Sequence, residues 1–473
     1  MSQQTPPPTE EARASTNKLA LLVGLIVAVV AFQLNATMLN PAVQQIQDEL
    51  GASVDQVAFT TAFFFLSKAI FQVFMPRLSD MWGRRAILLV SLAVLAVGTV
   101  IAMAAPSIEW LYVGRLLQGA CGPVFSIALL VLREAASSEE EYGTKMGLVI
   151  AINGGVAGID VLLGGWMADH WGFRSILGFT LVITVVAFFM ARVWIPESAP
   201  SKGAQMDWTG VILLSVFVVA LSYAVGADPF HKGITLWSAV YAAIGLAALL
   251  LFVLWERRAA VTLIPRAELG NRAIWAMPLT TVLTLCGVMA VVNLIVPSFA
   301  QNPTAGLGMS AAESSFLFMS PYALVGWIVG PFAGRLAPKF GYRTLLRFGL
   351  GCSAAVVAAV GLVGLHNKWV LAVLLIVLGI TYAGVVNVML NGLGITLSPQ
   401  SAPGLLPGLN GASFGIGASL SFTILGQIVA NGSPAGSPSW FGYGAALYVG
   451  AAILVAALLV SLVLPAPRRV ERS

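Results

Sequence analysis

PRLSDMWGRRAIL, residues 76–88, returns later in the chain as GRLAPKFGYRTLL, residues 334–346. Arg77 aligns with Arg335, Leu78 with Leu336, Gly83 with Gly341, Arg85 with Arg343 and Leu88 with Leu346, all at one constant offset. A short charged loop repeated this way implies a molecule made of two similar halves. The residues around the copies settle their setting. The chain has 473 residues, 58% of them hydrophobic and only 10% charged, where soluble proteins carry roughly 25% charged residues.

Apolar runs near 20 residues recur from end to end, each long enough to cross about 30 Å of hydrocarbon as a helix. β-Barrel alternation is absent, so helices must satisfy the backbone and an all-α integral membrane protein is expected. Segments near 19–40, 56–76, 86–105, 108–132, 146–168, 174–195, 208–227, 237–255, 274–299, 314–335, 344–364, 369–392, 405–430 and 441–465 give fourteen spans. Residues 1–17 are polar, with prolines at Pro6 to Pro8, and read as a disordered cytosolic tail. The apolar run that follows outlasts a signal-peptide core.

With that tail inside, cytosolic loops and tails collect Arg77, Arg84, Arg85, Lys145, Arg257, Arg258, Arg266, Arg272, Arg335, Lys339, Arg343, Arg468, Arg469 and Arg472. External loops receive Arg174, Lys232 and Lys368. This asymmetry fits the positive-inside rule, and an even number of spans keeps both termini cytoplasmic, here in the cell membrane. The net charge of +5 therefore orients helices and implies no nucleic-acid partner.

A six-helix half needs roughly 180 to 200 residues at these helix lengths. The spacing of the two copies leaves room for about two more helices, the pair near 208–227 and 237–255. The expected division is a first half over 18–200, an inserted helix pair and linker over 201–270, a second half over 271–467 and a tail over 468–473. Cys121, Cys286 and Cys352 stand singly in apolar segments and read as packing residues, with no metal or disulfide spacing. His170, His231 and His366 fall at outer loops, and no cofactor is implied.

RLSDMWGRR resembles the loop 2–3 signature of the major facilitator superfamily, with Pro76 in place of its first glycine; the second copy keeps that glycine but has Pro338 at the usual aspartate. LYVGRLLQGACGP, residues 111–123, resembles the family's fourth-span pattern and places Arg115, Gln118 and Gly119 in it. GGVAGIDVLLGGWMADHWGFRSI, residues 154–176, resembles the antiporter motif of the fifth span. Fourteen spans with a central pair are similar to the drug:proton antiporter family. The resemblance implies a major-facilitator fold of two six-helix halves plus two inserted helices. It also implies alternating access, proton-coupled export of a small amphipathic molecule, and a conformational latch at Asp80, Gly83, Arg84, Arg85, Arg335 and Arg343. Two departures cut against ordinary cation-for-proton exchange: QLNATMLNPA, residues 33–42, has Asn35 at an acidic position of the family, and Asp160-Val161 replaces the Gly-Pro step of the fifth span.

Lys68 lies twelve residues before Asp80, about 18 Å deeper at 1.5 Å per residue, which is near mid-bilayer. Burial there costs roughly 2.5 kcal/mol or more unless the group meets water or a partner. Polar stripes at helical spacing mark one face of several spans: Gln33, Thr37 and Asn40; Thr61, Lys68 and Gln72; Arg115, Gln118, Gly122 and Ser126; Asn153 and Asp160. They are expected to converge on a central cavity. The last six spans carry no Asp, Glu or Lys at their centres, but offer Asn293, Tyr322, Tyr382, Asn387 and Asn391. Lys68, Gln72, Gln33, Thr37, Asn35, Gln118 and Asn153, with those five, are the candidate substrate contacts. Lys68 also reads as a structural partner of Asp160. Asp160, taken as the deep carboxylate of the chain, and Arg115 are candidates for proton coupling: low dielectric favours a neutral acid and a nearby cation favours its carboxylate, a balance that suits proton exchange.

A membrane enzyme would need a cluster of titratable groups that the spans lack, and a channel has no use for a repeated loop. The expectation is a monomeric secondary transporter of a small molecule coupled to protons. Two cations against one acid favour a different ligand from a lipophilic cation, so symport or exchange of a small organic anion, or flipping of an anionic amphiphile, stands beside export.

Overall fold

A computed structural model describes residues 10–198, 205–227, 235–399, 402, 404–432 and 439–465. Among them are fourteen helices long and apolar enough to cross a membrane and no strand. In chain order they are α1 (Lys18–Leu50), α2 (Val54–Trp82), α3 (Arg84–Met103), α4 (Ile108–Ala135), α5 (Glu140–Trp171), α6 (Phe173–Trp194), α7 (Trp208–Gly226), α8 (Leu236–Arg258), α9 (Arg272–Gln301), α10 (Ala311–Phe340), α11 (Tyr342–His366), α12 (Lys368–Thr396), α13 (Leu405–Asn431) and α14 (Trp440–Ser461).

The two loop copies fold alike because both need glycine at the corner. Gly83 and Gly341 take φ of 100° and 85°, where other residues are strained. Each ends one helix and starts the next without a linker. The backbone is already helical from Glu10, inside the segment expected as a tail; residues 1–9, His231, Lys232, Arg468, Arg469 and Arg472 lie outside the described residues. The first span also runs past its expected end. After a break at Asn40 and Pro41 a short amphipathic helix, Val43–Leu50, buries Val43 and Ile46 and stops at Gly51.

Helices α1–α6 and α9–α14 form the two halves, which meet along two seams. On one, α2 packs against α13, with Ala58 against Gly426 and Ala69 against Gly415. The inserted pair α7–α8 covers this seam: Val218 sits among Phe59, Phe63, Leu66 and Ala69, and Phe74 packs 6.0 Å from Trp208. On the other, α5 meets α10 by fitting Trp327 over Gly154 and Gly155 and Leu324 over Gly158, small residues that let membrane helices approach. Burial separates the seams: 72% of the core window of both α2 and α13 is buried, against 22% for α5 and 28% for α10.

A second buried acid lies outside the span centres. Glu256, at the end of α8, is fully buried and accepts the backbone N–H groups of Leu263 (3.0 Å) and Ile264 (3.1 Å), folding the linker back onto the insertion. Its place near a helix end kept it outside the mid-span count.

Candidate functional site

At the end away from the repeated loops, polar bonds tie the halves together. Asp169, at the end of α5, accepts N–H groups from Ala311 (2.9 Å) and Ala312 (2.7 Å) and the amide of Gln45 (3.2 Å). A carboxylate of one half thus satisfies open N–H groups at the start of α10 in the other, where the helix dipole favours negative charge. Asn40 donates to Asn293 Oδ1 (3.0 Å), and Gln301 donates to the Pro41 carbonyl (2.8 Å). A small cleft just inside this closure is lined by Asn40, Thr60, Thr61, Asn293 and Phe422. Near the loop end, Gly143 and Gly147 of α5, with Gly404 and Gly408 at the start of α13, have no neighbour within 4 Å of where a Cβ would stand.

Lys68 projects into the seam between α2 and α13. Its Nζ lies 5.0 Å from the ring centre of Phe32, 5.6 Å from Phe65 and 4.8 Å from Phe414, so three aromatic faces hold the charge. Among the described residues it has neither a hydrogen-bond acceptor nor an ion-pair partner, and its side chain is half-buried. Gly122 makes room for its stem, since a Cβ there would collide with Lys68 Cγ. One turn on, Gln72 donates to Ser126 (2.8 Å) and lies beside Gly411.

Asp160 lies elsewhere, against α1. Its Oδ2 is 2.5 Å from Thr37 Oγ1, which also takes the Gln33 amide (2.9 Å) and stands 3.0 Å from the Gln33 carbonyl. Asp160 Oδ1 is buried without a partner. Arg115 is fully buried between Phe64, the Asn35 carbonyl and Gln118 (both 2.8 Å), while its Nε and Nη2 have no acceptor. Thr99 joins Asn35 to Gln118 (3.2 and 2.9 Å), so Asn35 supplies neutral hydrogen bonds in place of a counter-charge. The three charges therefore do not share one cluster: among the described residues no ion pair joins Asp160 to Lys68 or Arg115. Asn153 leaves its Oδ1 buried and unbonded beside the α5–α10 seam.

In the second half two of the five candidates sit on widened helical turns. Residues 291–295, 315–319 and 379–386 are π-helical, a distortion frequent at functional sites. Asn293 and Tyr382 lie within the first and last of these, and Gly379 packs on the Tyr322 backbone. Tyr382 is buried with its hydroxyl 4.0 Å from Met289 Sδ. Asn391 is exposed; it donates to the Asn387 carbonyl (2.8 Å) and Asn410 donates to it (3.5 Å).

Arg77 donates to the Thr262 carbonyl of the linker (3.2 Å), while Arg84, Arg85 and Arg343 bond within their own halves. Arg84 reaches Asp80 (3.1 Å), Glu134 (3.1 Å) and the Leu130 carbonyl (2.8 Å); Arg85 donates to the Arg192 carbonyl (2.6 Å) and Arg343 to that of Leu464 (3.0 Å). Arg335 is exposed. Sequence reasoning passed over Asp169 and Gln301. The capping box Ser310–Glu313 marks the start of α10, but nothing in the order of residues reveals that a carboxylate from the other half would complete it.

The Major Facilitator Superfamily family model matches residues 25–422. The chain belongs to this superfamily. It is a transporter of that class. It is 41% identical over 413 residues to the uridine/deoxyuridine transporter of Lactococcus lactis subsp. cremoris (strain MG1363), covering 86% of each chain. It is 27% identical to the multidrug resistance protein Stp of Mycobacterium tuberculosis, over 84% of this chain and 73% of Stp. Among solved structures, the nucleoside transporter NupG superposes with a TM-score of 0.63 at 13% identity, over 95% of this chain and 99% of NupG. The peptide transporter POT in complex with sulfate gives 0.66 at 14%, over 95% of both chains. These two likenesses carry the fold.

Proposed function

We propose that the chain is a proton-coupled transporter of pyrimidine nucleosides that alternates between the two ends. The observation that carries this is the 41% identity, across most of both chains, to a relative named for uridine and deoxyuridine. The chemistry around Lys68 supports it. Arg115 is fully buried, whereas Lys68 is half-buried among aromatic rings, with the Gln72 amide and Ser126 hydroxyl one turn on. Such a lining suits a neutral, flat, hydrogen-bonding solute better than a dianion or a lipophilic cation. The likeness to Stp favours a second reading, efflux of amphipathic compounds.

Asp160 is the proposed coupling acid. Thr37 has one proton, yet two acceptors lie within reach, Asp160 Oδ2 and the Gln33 carbonyl. With a proton on Asp160, the acid donates to Thr37 and Thr37 donates to Gln33, so both bonds are made. Without it Thr37 must choose, and a bare carboxylate is left buried, which is costly. The same helix α1 carries Phe32, over the Lys68 ammonium, and Thr37, on Asp160; movement of α1 would link substrate to proton. The positive-inside rule favours a cytosolic position for the repeated loops, with both termini on that side and the cell membrane as the proposed site.

The test is uptake of labelled uridine by vesicles holding the purified chain under a pH gradient. Uridine uptake competed by nucleosides is expected. Transport of cationic dyes with no uridine uptake would replace this reading with efflux.

A further inference from the structure

We infer that Lys68 reads the base: its ammonium donates to a ring carbonyl at the 4-position, selecting oxo-pyrimidines such as uracil over amino-pyrimidines such as cytosine. This deepens, and rests on, the nucleoside reading above. An ammonium carries three N–H donors and no acceptor. Here none of the three meets an acceptor among the described residues, and the side chain is half-buried. Phe32, Phe65 and Phe414 hold the charge only through their ring faces. What the site lacks is a carbonyl oxygen.

Uracil and cytosine share the 2-carbonyl and differ at position 4, where uracil presents an acceptor and cytosine an amino donor. Facing an ammonium, the first makes a charge-assisted bond and the second sets donor against donor. The carboxylates that would blur this choice are elsewhere: Asp160 is held by Thr37, and Glu256 by the linker. The three rings come from α1, α2 and α13, hence from both halves. A flat ring held among them would draw α13 toward the first half. The lysine is aimed by Gly122, whose missing Cβ admits its stem.

A hydrogen bond to a charged group contributes about 1.5–3 kcal/mol, so the preference should be about ten- to hundredfold. The experiment measures binding of uridine, cytidine and 2-pyrimidinone riboside, which has no group at position 4, to the reconstituted full chain. Wild type should favour uridine over both others by that factor. Lys68→Met should lose most for uridine and least for the 4-unsubstituted riboside, while Lys68→Arg should keep the uridine preference. Gly122→Ala, which displaces the stem but keeps the lysine, should narrow the uridine-to-cytidine ratio and serves if the methionine variant does not fold. Equal losses for all three ligands, or an unchanged ratio in both Lys68→Met and Gly122→Ala, overturns the inference. Wild type that binds uridine and cytidine equally sinks the inference and leaves the nucleoside reading standing; wild type that binds none of the three sinks both.

Discussion

The two seams between the halves are built from equivalent helices, α2 with α13 and α5 with α10, yet they are used differently. The first is roofed by the inserted pair and holds Lys68 among aromatic rings. The second has no inserted helix over it and closes with Trp327 and Leu324 set into glycine hollows of α5, the helix that carries Asp160 on its other side. Both charged side chains reach α1, Lys68 at Phe32 and Asp160 at Thr37. A symmetric repeat has thus been given an asymmetric division of labour, with the cation on the covered seam and the acid on the face of α5 that meets α1. Two charges of opposite sign in one membrane would collapse into an ion pair if they shared a pocket. Kept apart, each stays available, and α1 is the element that feels both.

This contrast can be broken most severely at the acid. Asp160→Asn removes the exchangeable proton and is expected to abolish pH-driven uptake while exchange of internal for external substrate persists. Unimpaired pH-driven uptake in vesicles would take the proton away from the α5 side altogether. A smaller effect is expected at the lock of the far end. Asp169→Ala strips a carboxylate from the start of α10, worth about 0.3–2 kcal/mol, and should shift the population toward opening at that end. Labelling rates of a cysteine placed at Asn40 read the shift, and an unchanged rate would remove Asp169 from the gate. On the covered seam, Trp208→Ala should cost about 0.5–1.5 kcal/mol through its lost packing on Phe74, because lipid replaces the ring contact without a hydrophobic penalty. Thermal unfolding in detergent measures it, and a loss of uptake larger than the loss of stability would give the insertion a part in the cycle. The smallest change is expected from Arg335→Gln, whose side chain is exposed: uptake near wild type, with a large loss pointing to a bond formed only in the opposite state.

Much of this architecture was legible because membrane folding rests on local rules. Run lengths marked the fourteen spans, the repeated loop marked two halves, and Gly83 and Gly341 had to be glycine at any corner of that shape. Glu256 was missed because a carboxylate near a helix end looks solvated until the linker is seen folding over it. The convergence of Lys68, Arg115 and Asp160 on one cavity was expected from stripes at helical spacing. Spacing gives the face of one helix but not which neighbour that face meets, and Arg115 turned out to be sealed among Phe64, Asn35 and Gln118.

By itself, then, the order of residues determined a fourteen-helix membrane protein of two related halves, because hydrophobic length, charge placement and glycine corners act over a few residues at a time. Only the tertiary structure decided that Asp169 would cap a helix of the opposite half, that Lys68 would rest on three rings with no counter-ion among the described residues, and that Asp160 would bond to Thr37. Those contacts join residues far apart in the chain, and their energies depend on distances that no local pattern encodes.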